Sequence, residues 1–193
     1  NITNVNDVAP VISSSATFSA AENQTAIGSV SASDAEGDDL TYTVSGSEIS
    51  ISSSGVLTFV SAPDYESKTT YTSTVTVSDG VNSVTQNITV NITNVNDVAP
   101  VISSSATFNA AENQTAIGTV EATDAEGDDL TYAVSGSEIS ITSSGVLSFV
   151  SAPDYESKTA YSVTITVSDG ELSDTQNITC LLYTSPSPRD VST

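Results

Sequence analysis

Apolar residues alternate with Ser, Thr and Asn along most of the chain, and helical spacing is nearly absent. Leu40, Tyr42 and Val44 fall on one side of an extended segment, with Thr41 and Thr43 on the other. Tyr71, Val75 and Val77 repeat the pattern, as do Ile88, Val90 and Ile92 against Thr89 and Asn91. Period-two alternation of β-branched and aromatic residues is the mark of strands with one buried face. Turn chemistry interrupts it at Glu36-Gly37-Asp38, Ser54-Gly55, Ala62-Pro63-Asp64 and Asp79-Gly80. The spacing predicts about seven strands in the first half, near 11–20, 26–33, 40–45, 48–52, 56–60, 70–78 and 84–93. Gly28, inside the second of them, predicts a bulge.

The pattern then starts again. Asn94-Val95-Asn96-Asp97-Val98-Ala99-Pro100 repeats Asn4 to Pro10 with a period of 90 residues, and residues 1–89 differ from 91–179 at fourteen positions. One difference fixes register. Ser73 interrupts the inward row of its strand, whereas Val163 fills the same place in the second copy, and a one-residue slip would put that valine in water. The expectation is an all-β chain of two tandem Greek-key β-sandwiches. Residues 1–7 read as a linker from a preceding repeat, 8–97 as the first repeat and 98–180 as a C-terminally truncated second. Repeats this similar belong to long arrays, so the chain is read as a fragment of a larger protein.

From Cys180 the repeat breaks off. Cys180-Leu181-Leu182-Tyr183-Thr184-Ser185-Pro186-Ser187-Pro188-Arg189-Asp190 replaces the expected Val-Asn-Ile-Thr-Asn-Val-Asn-Asp. This run resembles the conceptual translation of a transposase adapter used in short-read sequencing, and residues 181–193 are read as a non-native tail. Cys180 is the single cysteine, so redox compartment is not legible from disulfides.

Charge narrows the function. The net charge is −21, from 24 acidic residues against Lys68, Lys158 and Arg189. Nucleic acid is excluded as a partner, because phosphate binding needs clustered Lys and Arg. Anionic membrane surfaces are disfavoured on the same ground, and no apolar run approaches the roughly 18 residues that span a bilayer. Acidity at this level serves solubility, salt adaptation or cation binding. Placement decides among these. Consecutive antiparallel strands put successive loops at alternate ends of a sandwich. Glu22, Asp64, Glu66, Asn94, Asn96 and Asp97 then share one end of the first repeat, and Asp34, Glu36 and Asp79 the other. Stacking the second repeat below the first brings Asp124, Glu126 and Asp169 to Glu22, Asp64, Glu66 and Asp97. Like charges about 4 Å apart repel by roughly 4 kcal/mol per pair at an effective dielectric near 20. A cation must therefore occupy the joint, or the repeats swing apart. Calcium (Ca2+) fits best, since it takes six to eight oxygens in flexible geometry. Zinc would require the His or Cys that the repeats lack.

These residues also carry a family likeness. Ala21-Glu22-Asn23 resembles the glutamate motif near the end of the first strand of a cadherin repeat. Asp64-Tyr65-Glu66 is similar to its Asp-x-Glu motif, written Pro-Asp-Tyr-Glu as in bacterial cadherin-like repeats. Asn94-Val95-Asn96-Asp97-Val98-Ala99-Pro100 resembles the family linker Asp-x-Asn-Asp-Asn-x-Pro. Asp124-Ala125-Glu126 stands where the next repeat's Asp-x-Asp would be, and Asp169 resembles its later lone aspartate. The resemblance implies an immunoglobulin-like sandwich and three ions at a joint. Asn94 and Val98 depart from the pattern by a lost charge and a lost side-chain ligand, so two or three ions are expected. It also implies an N-terminal half-site from Asn4, Asn6, Asp7, Asp34, Glu36 and Asp79, and a C-terminal one from Glu112, Asp154 and Glu156. The implied role is that of a calcium-rigidified spacer in a large extracellular or cell-surface adhesin, its first partners being neighbouring repeats. Direct binding of surface polysaccharide or homophilic contact is the alternative. With no His and no Trp, no nucleophile constellation and no aromatic cleft, the chain reads as non-enzymatic.

Overall fold

The computed structural model describes residues 5–184, and the chain divides into two compact units, Asn1–Val95 and Asn96–Thr193. Asn4, one of the expected ligands, and residues 185–193 of the expected tail lie outside the described residues. No helix among the described residues is long and apolar enough to cross a membrane.

The first unit contains β1 (Val11–Ile12), β2 (Thr17–Ala21), β3 (Ala26–Ser29), β4 (Ala32–Ser33), β5 (Thr41–Val44), β6 (Ile49–Ile51), β7 (Val56–Phe59), β8 (Thr70–Ser78) and β9 (Ser83–Thr93). The second repeats this as β10 (Val101–Ile102), β11 (Thr107–Ala111), β12 (Ala116–Thr119), β13 (Ala122–Thr123), β14 (Thr131–Val134), β15 (Ile139–Ile141), β16 (Val146–Phe149), β17 (Ala160–Ser168) and β18 (Ser173–Tyr183). A four-stranded sheet in the order β2-β9-β8-β5 faces a three-stranded sheet in the order β3-β7-β6, and β1 pairs with β4 at the side. The second unit has the same order throughout.

Nine strands stand where about seven were expected, because two of the expected strands are interrupted. The first begins on β4 and then crosses, at the serines between Ile12 and Thr17, to run parallel with β9. Ser15 Oγ accepts the Thr17 N–H at 3.0 Å and holds that crossing. The second breaks after Ser29, where Val30 turns its N–H to the Gly55 carbonyl at 2.8 Å. The expected bulge is present: pairing of β3 with β7 shifts register between Ala26 and Gly28.

Leu57, Phe59, Val75, Val77, Ile88 and Val90 fill the space between the sheets. Val163 is buried in the corresponding core of the second unit, whereas Ser73 donates its hydroxyl to the Ser45 carbonyl at 3.1 Å, so the expected register holds. Cys180 and Leu182 are buried at the places of Val90 and Ile92, while Leu181 and Tyr183 are exposed at those of Asn91 and Thr93.

Candidate metal centre

In each unit the loops gather at two ends, and each end collects acidic side chains. In the first unit β4 leads into the loop carrying Asp34, Glu36 and Asp38, whose carboxylates each bring an oxygen within 4.8 Å of the others. Asp34 Oδ1 accepts the N–H groups of Glu36 at 2.8 Å and Asp38 at 3.3 Å, the hydrogen bonding of an Asx turn. Its Oδ2 is buried without a hydrogen-bond partner, as is Oδ2 of Asp38. Glu36 Oε2 reaches the incoming linker and accepts the N–H groups of Asp7 and Val8, both at 3.0 Å.

The turn between β8 and β9 supplies Asp79, which is only 9% exposed. Asp79 Oδ1 accepts the N–H groups of Val81 at 2.8 Å and Asn82 at 2.6 Å, and Oδ2 again has no partner. Burial alone pushes this carboxyl up. The backbone N–H groups of Asn82 and Val81, with the side-chain amides of Asn82 and Asn6, outweigh it and hold the group below its ordinary value. Asn6 donates Nδ2 to the Asp79 carbonyl at 3.3 Å, which ties the linker to the same turn.

The second unit rebuilds this end. Asp124 Oδ1 accepts the N–H groups of Glu126, Gly127 and Asp128. Glu126 accepts those of Asp97 at 3.1 Å and Val98 at 3.0 Å. Asp169 Oδ1 accepts those of Glu171 at 2.8 Å and Leu172 at 2.7 Å. Asp124 Oδ2, Asp169 Oδ2 and Asn96 Oδ1 are buried without partners. Burial raises the Asp169 carboxyl, but the Leu172 and Glu171 N–H groups and the Asn96 side chain bring it below the ordinary range.

The opposite end of the first unit is organised by Glu22, 2% exposed. Its Oε2 accepts the Tyr65 N–H and its Oε1 the Val95 N–H, both at 2.8 Å, so one carboxylate fixes both the β7–β8 loop and the outgoing linker. Asp64 accepts the N–H and hydroxyl of Ser67 at 3.1 and 2.9 Å. Glu66 lies on the same loop, and Asn94 is exposed where β9 ends. In the second unit Glu112, Asp154 and Glu156 bring an oxygen each within 4.8 Å. The Asp154 side chain raises the Glu156 carboxyl, aided by the charge of Glu112, while the Ser157 hydroxyl and Glu156 lower that of Asp154. Carboxylates crowded this way hold a proton between them or a cation among them.

Oxygen donors with one lone-pair set fixed by backbone N–H groups and the other unpaired suit a hard cation of flexible coordination. Asp38, and Asp128 in the matching cluster with Asp124 and Glu126, are the clustered residues that sequence reasoning missed, because a third acid in a Gly-containing loop reads as turn chemistry. Their signal was the spacing of Asp34, Glu36 and Asp38 at every second position, which aligns carboxylates along one side of an extended loop.

Residues 6–93 and 96–180 each match the family model described as the bacterial Ig domain. The chain belongs to the bacterial Ig domain family. Both of its bacterial Ig domains are cadherin-like repeats in fold. Human protocadherin-24 EC1-2 superposes with a TM-score of 0.79 at 20% identity, covering 93% of this chain and 99% of that one. Mouse cadherin-23 EC22-24 gives 0.76 at 20% identity, covering 86% and 63%. Among curated proteins, Chitinase A of Pseudoalteromonas piscicida is 33% identical over 165 residues, which is 84% of this chain and 20% of that protein. The chain thus spans about a fifth of the length of that relative.

Proposed function

We propose that these bacterial Ig domains are calcium-binding tandem repeats that act as a rigid spacer in a large secreted or cell-surface adhesion protein, without catalysis of their own. The observation that carries the reading is the set of buried, unpartnered oxygens on Asp34, Asp79, Asp124, Asp169 and Asn96, at positions singled out by their chemistry. A carboxylate oxygen shielded from water and without a partner is left unsatisfied, and a bound cation would satisfy it. Calcium would be held by Glu22, Asp64, Glu66, Asn94, Asn96, Asp97, Asp124, Glu126 and Asp169 where one repeat follows the next. Asn4, Asn6, Asp7, Asp34, Glu36 and Asp79 form the equivalent half-site before the first repeat, and Glu112, Asp154 and Glu156 the half-site after the second. The chain's own part is preorganisation. Glu22 anchors Val95 and Glu126 anchors Asp97 and Val98, so the linker backbone is held a residue to either side of Asn96. The ion supplies positive charge that cancels repulsion among the carboxylates.

Titrating calcium into chelator-stripped protein tests this. Stoichiometric heat is expected, with a melting temperature that climbs with free calcium; at 100 times Kd the linkage is worth about 2.7 kcal/mol. Small-angle scattering should also change on chelation. An absence of heat, with identical melting and scattering in calcium and in chelator, would sink the proposal.

A second reading, direct contact with polysaccharide, is favoured by the likeness to Chitinase A. Ser45, Thr72, Thr74, Asn87 and Thr89 line an uncharged shallow depression of about 450 Å³ on the β8–β9 face. Co-sedimentation with insoluble chitin supports that reading, and recovery of all the protein in the supernatant removes it.

A further inference from the structure

The two repeats are nearly the same sequence, so the few differences at their ligand-bearing ends carry information. One of them is Asn82 against Leu172. Val81 beside it is likewise replaced, by Glu171, but the backbone bonding of the turn is the same: in each unit its aspartate accepts two backbone N–H groups, one of them from residue 82 or 172. In each, a serine hydroxyl also donates to the carbonyl of that residue at 2.8 Å. What changes at this residue is the side chain. Asn82 donates Nδ2 to Asn6 Oδ1 at 3.2 Å, occupying the oxygen of the linker asparagine. Leu172 has no donor, and the equivalent oxygen, Asn96 Oδ1, is buried with no partner.

Building on the calcium reading above, we infer that the residue at 82 or 172 sets the affinity of the cation site at its own end, by occupying or freeing the side-chain oxygen of the linker asparagine. With asparagine in that place, an ion recruiting Asn6 Oδ1 must first displace a hydrogen bond. With leucine, Asn96 Oδ1 is already stripped of partners, so ligation gains a contact and gives nothing up. In the first unit Asn6 Nδ2 donates to the Asp79 carbonyl at 3.3 Å, which leaves its oxygen to the Asn82 amide. The neighbouring side chain thus decides whether that oxygen is engaged, as in Asn6, or bare, as in Asn96. Successive joints built from such repeats bind calcium at different concentrations, and an array stiffens in stages as calcium rises.

The test uses the full chain, titrated with calcium by calorimetry, as wild type, Leu172→Asn and Leu172→Ala. Loss of one hydrogen bond's worth of competition corresponds to about three- to tenfold in Kd. Leu172→Asn is expected to weaken the tightest class of sites by that factor, while Leu172→Ala, which removes the leucine without adding an amide, stays within about twofold of wild type. In chelator the Asn96 side-chain amide resonances should shift in Leu172→Asn alone, as the new donor reaches Oδ1. Unchanged affinity in Leu172→Asn overturns the inference while leaving calcium binding intact. Equal weakening in both variants also overturns it, since packing rather than the amide would then be responsible. Failure of wild type to bind calcium at all removes the underlying reading, and this inference with it.

Discussion

Glu22 is almost wholly shielded from water, and both of its oxygens already accept backbone N–H groups, from Tyr65 and Val95. Asp34 is the opposite case, with one oxygen satisfied locally and the other left bare. The two should therefore answer differently to loss of charge. Glu22→Gln sets an amide N–H against a backbone N–H and is expected to cost about 1–3 kcal/mol in urea denaturation even in chelator. Asp34→Asn keeps the acceptor of its Asx turn and should change chelated stability little while weakening calcium binding. Asp169 adds a pH dependence. Its folded pKa lies below the ordinary value despite burial, because Leu172 and Glu171 N–H groups favour the anion. Its contribution is thus fully present above the unfolded value of about 3.9 and is lost as pH falls through the lower folded value. Urea titrations of chelated protein between neutral and strongly acid pH should show a decline that is shallower in Asp169→Asn. Of these details, the acidity was legible in the sequence, but the division of each carboxylate into a used and an unused oxygen was not. That division depends on backbone N–H groups whose directions are set only once the loop has closed.

At the scale of strands, the alternation of Leu40, Tyr42 and Val44 and of Ile88, Val90 and Ile92 was sufficient to assign faces, and the exchange of Ser73 for Val163 fixed the register. The breaks in the two N-terminal strands escaped because nothing local dictates them. Val30 leaves its strand to satisfy an N–H on Gly55, a partner 25 residues away whose own conformation, φ +83° with an added Cβ only 2.3 Å from the Val30 carbonyl oxygen, admits glycine and little else. A further difference between the repeats concerns β10. Asp174 Oδ2 in β18 accepts the Ile102 N–H at 3.0 Å, where the first repeat has Val84 and no such acceptor. Asp174→Val is expected to cost about 1 kcal/mol and to speed amide exchange at Ile102 while leaving exchange in β17 unaltered. Equal exchange at Ile102 in both proteins would show the contact to be idle.

For the molecule as a whole, charge is the dominant variable: −21, with Lys68 and Lys158 already paired to Glu48 and Glu138. Those pairs are about half exposed and contribute little, so the excess of negative charge is self-repelling when no cation is present. Raising sodium chloride to about 1 M, where the screening length is about 3 Å, should lift the melting temperature of chelated protein markedly and that of calcium-loaded protein much less. A larger rise in the loaded form would contradict the assignment of calcium as the neutralising charge. The crossing of each first strand from one sheet to the other has a mechanical consequence. Because β2 lies parallel to β9, strands near the two chain ends of a repeat run side by side in the same direction. Tension applied between those ends strains the pairing of Thr17–Ala21 with its neighbour lengthwise, all five residues together. Such a patch yields by sliding rather than by peeling open one bond at a time, which is how a tether resists being drawn out.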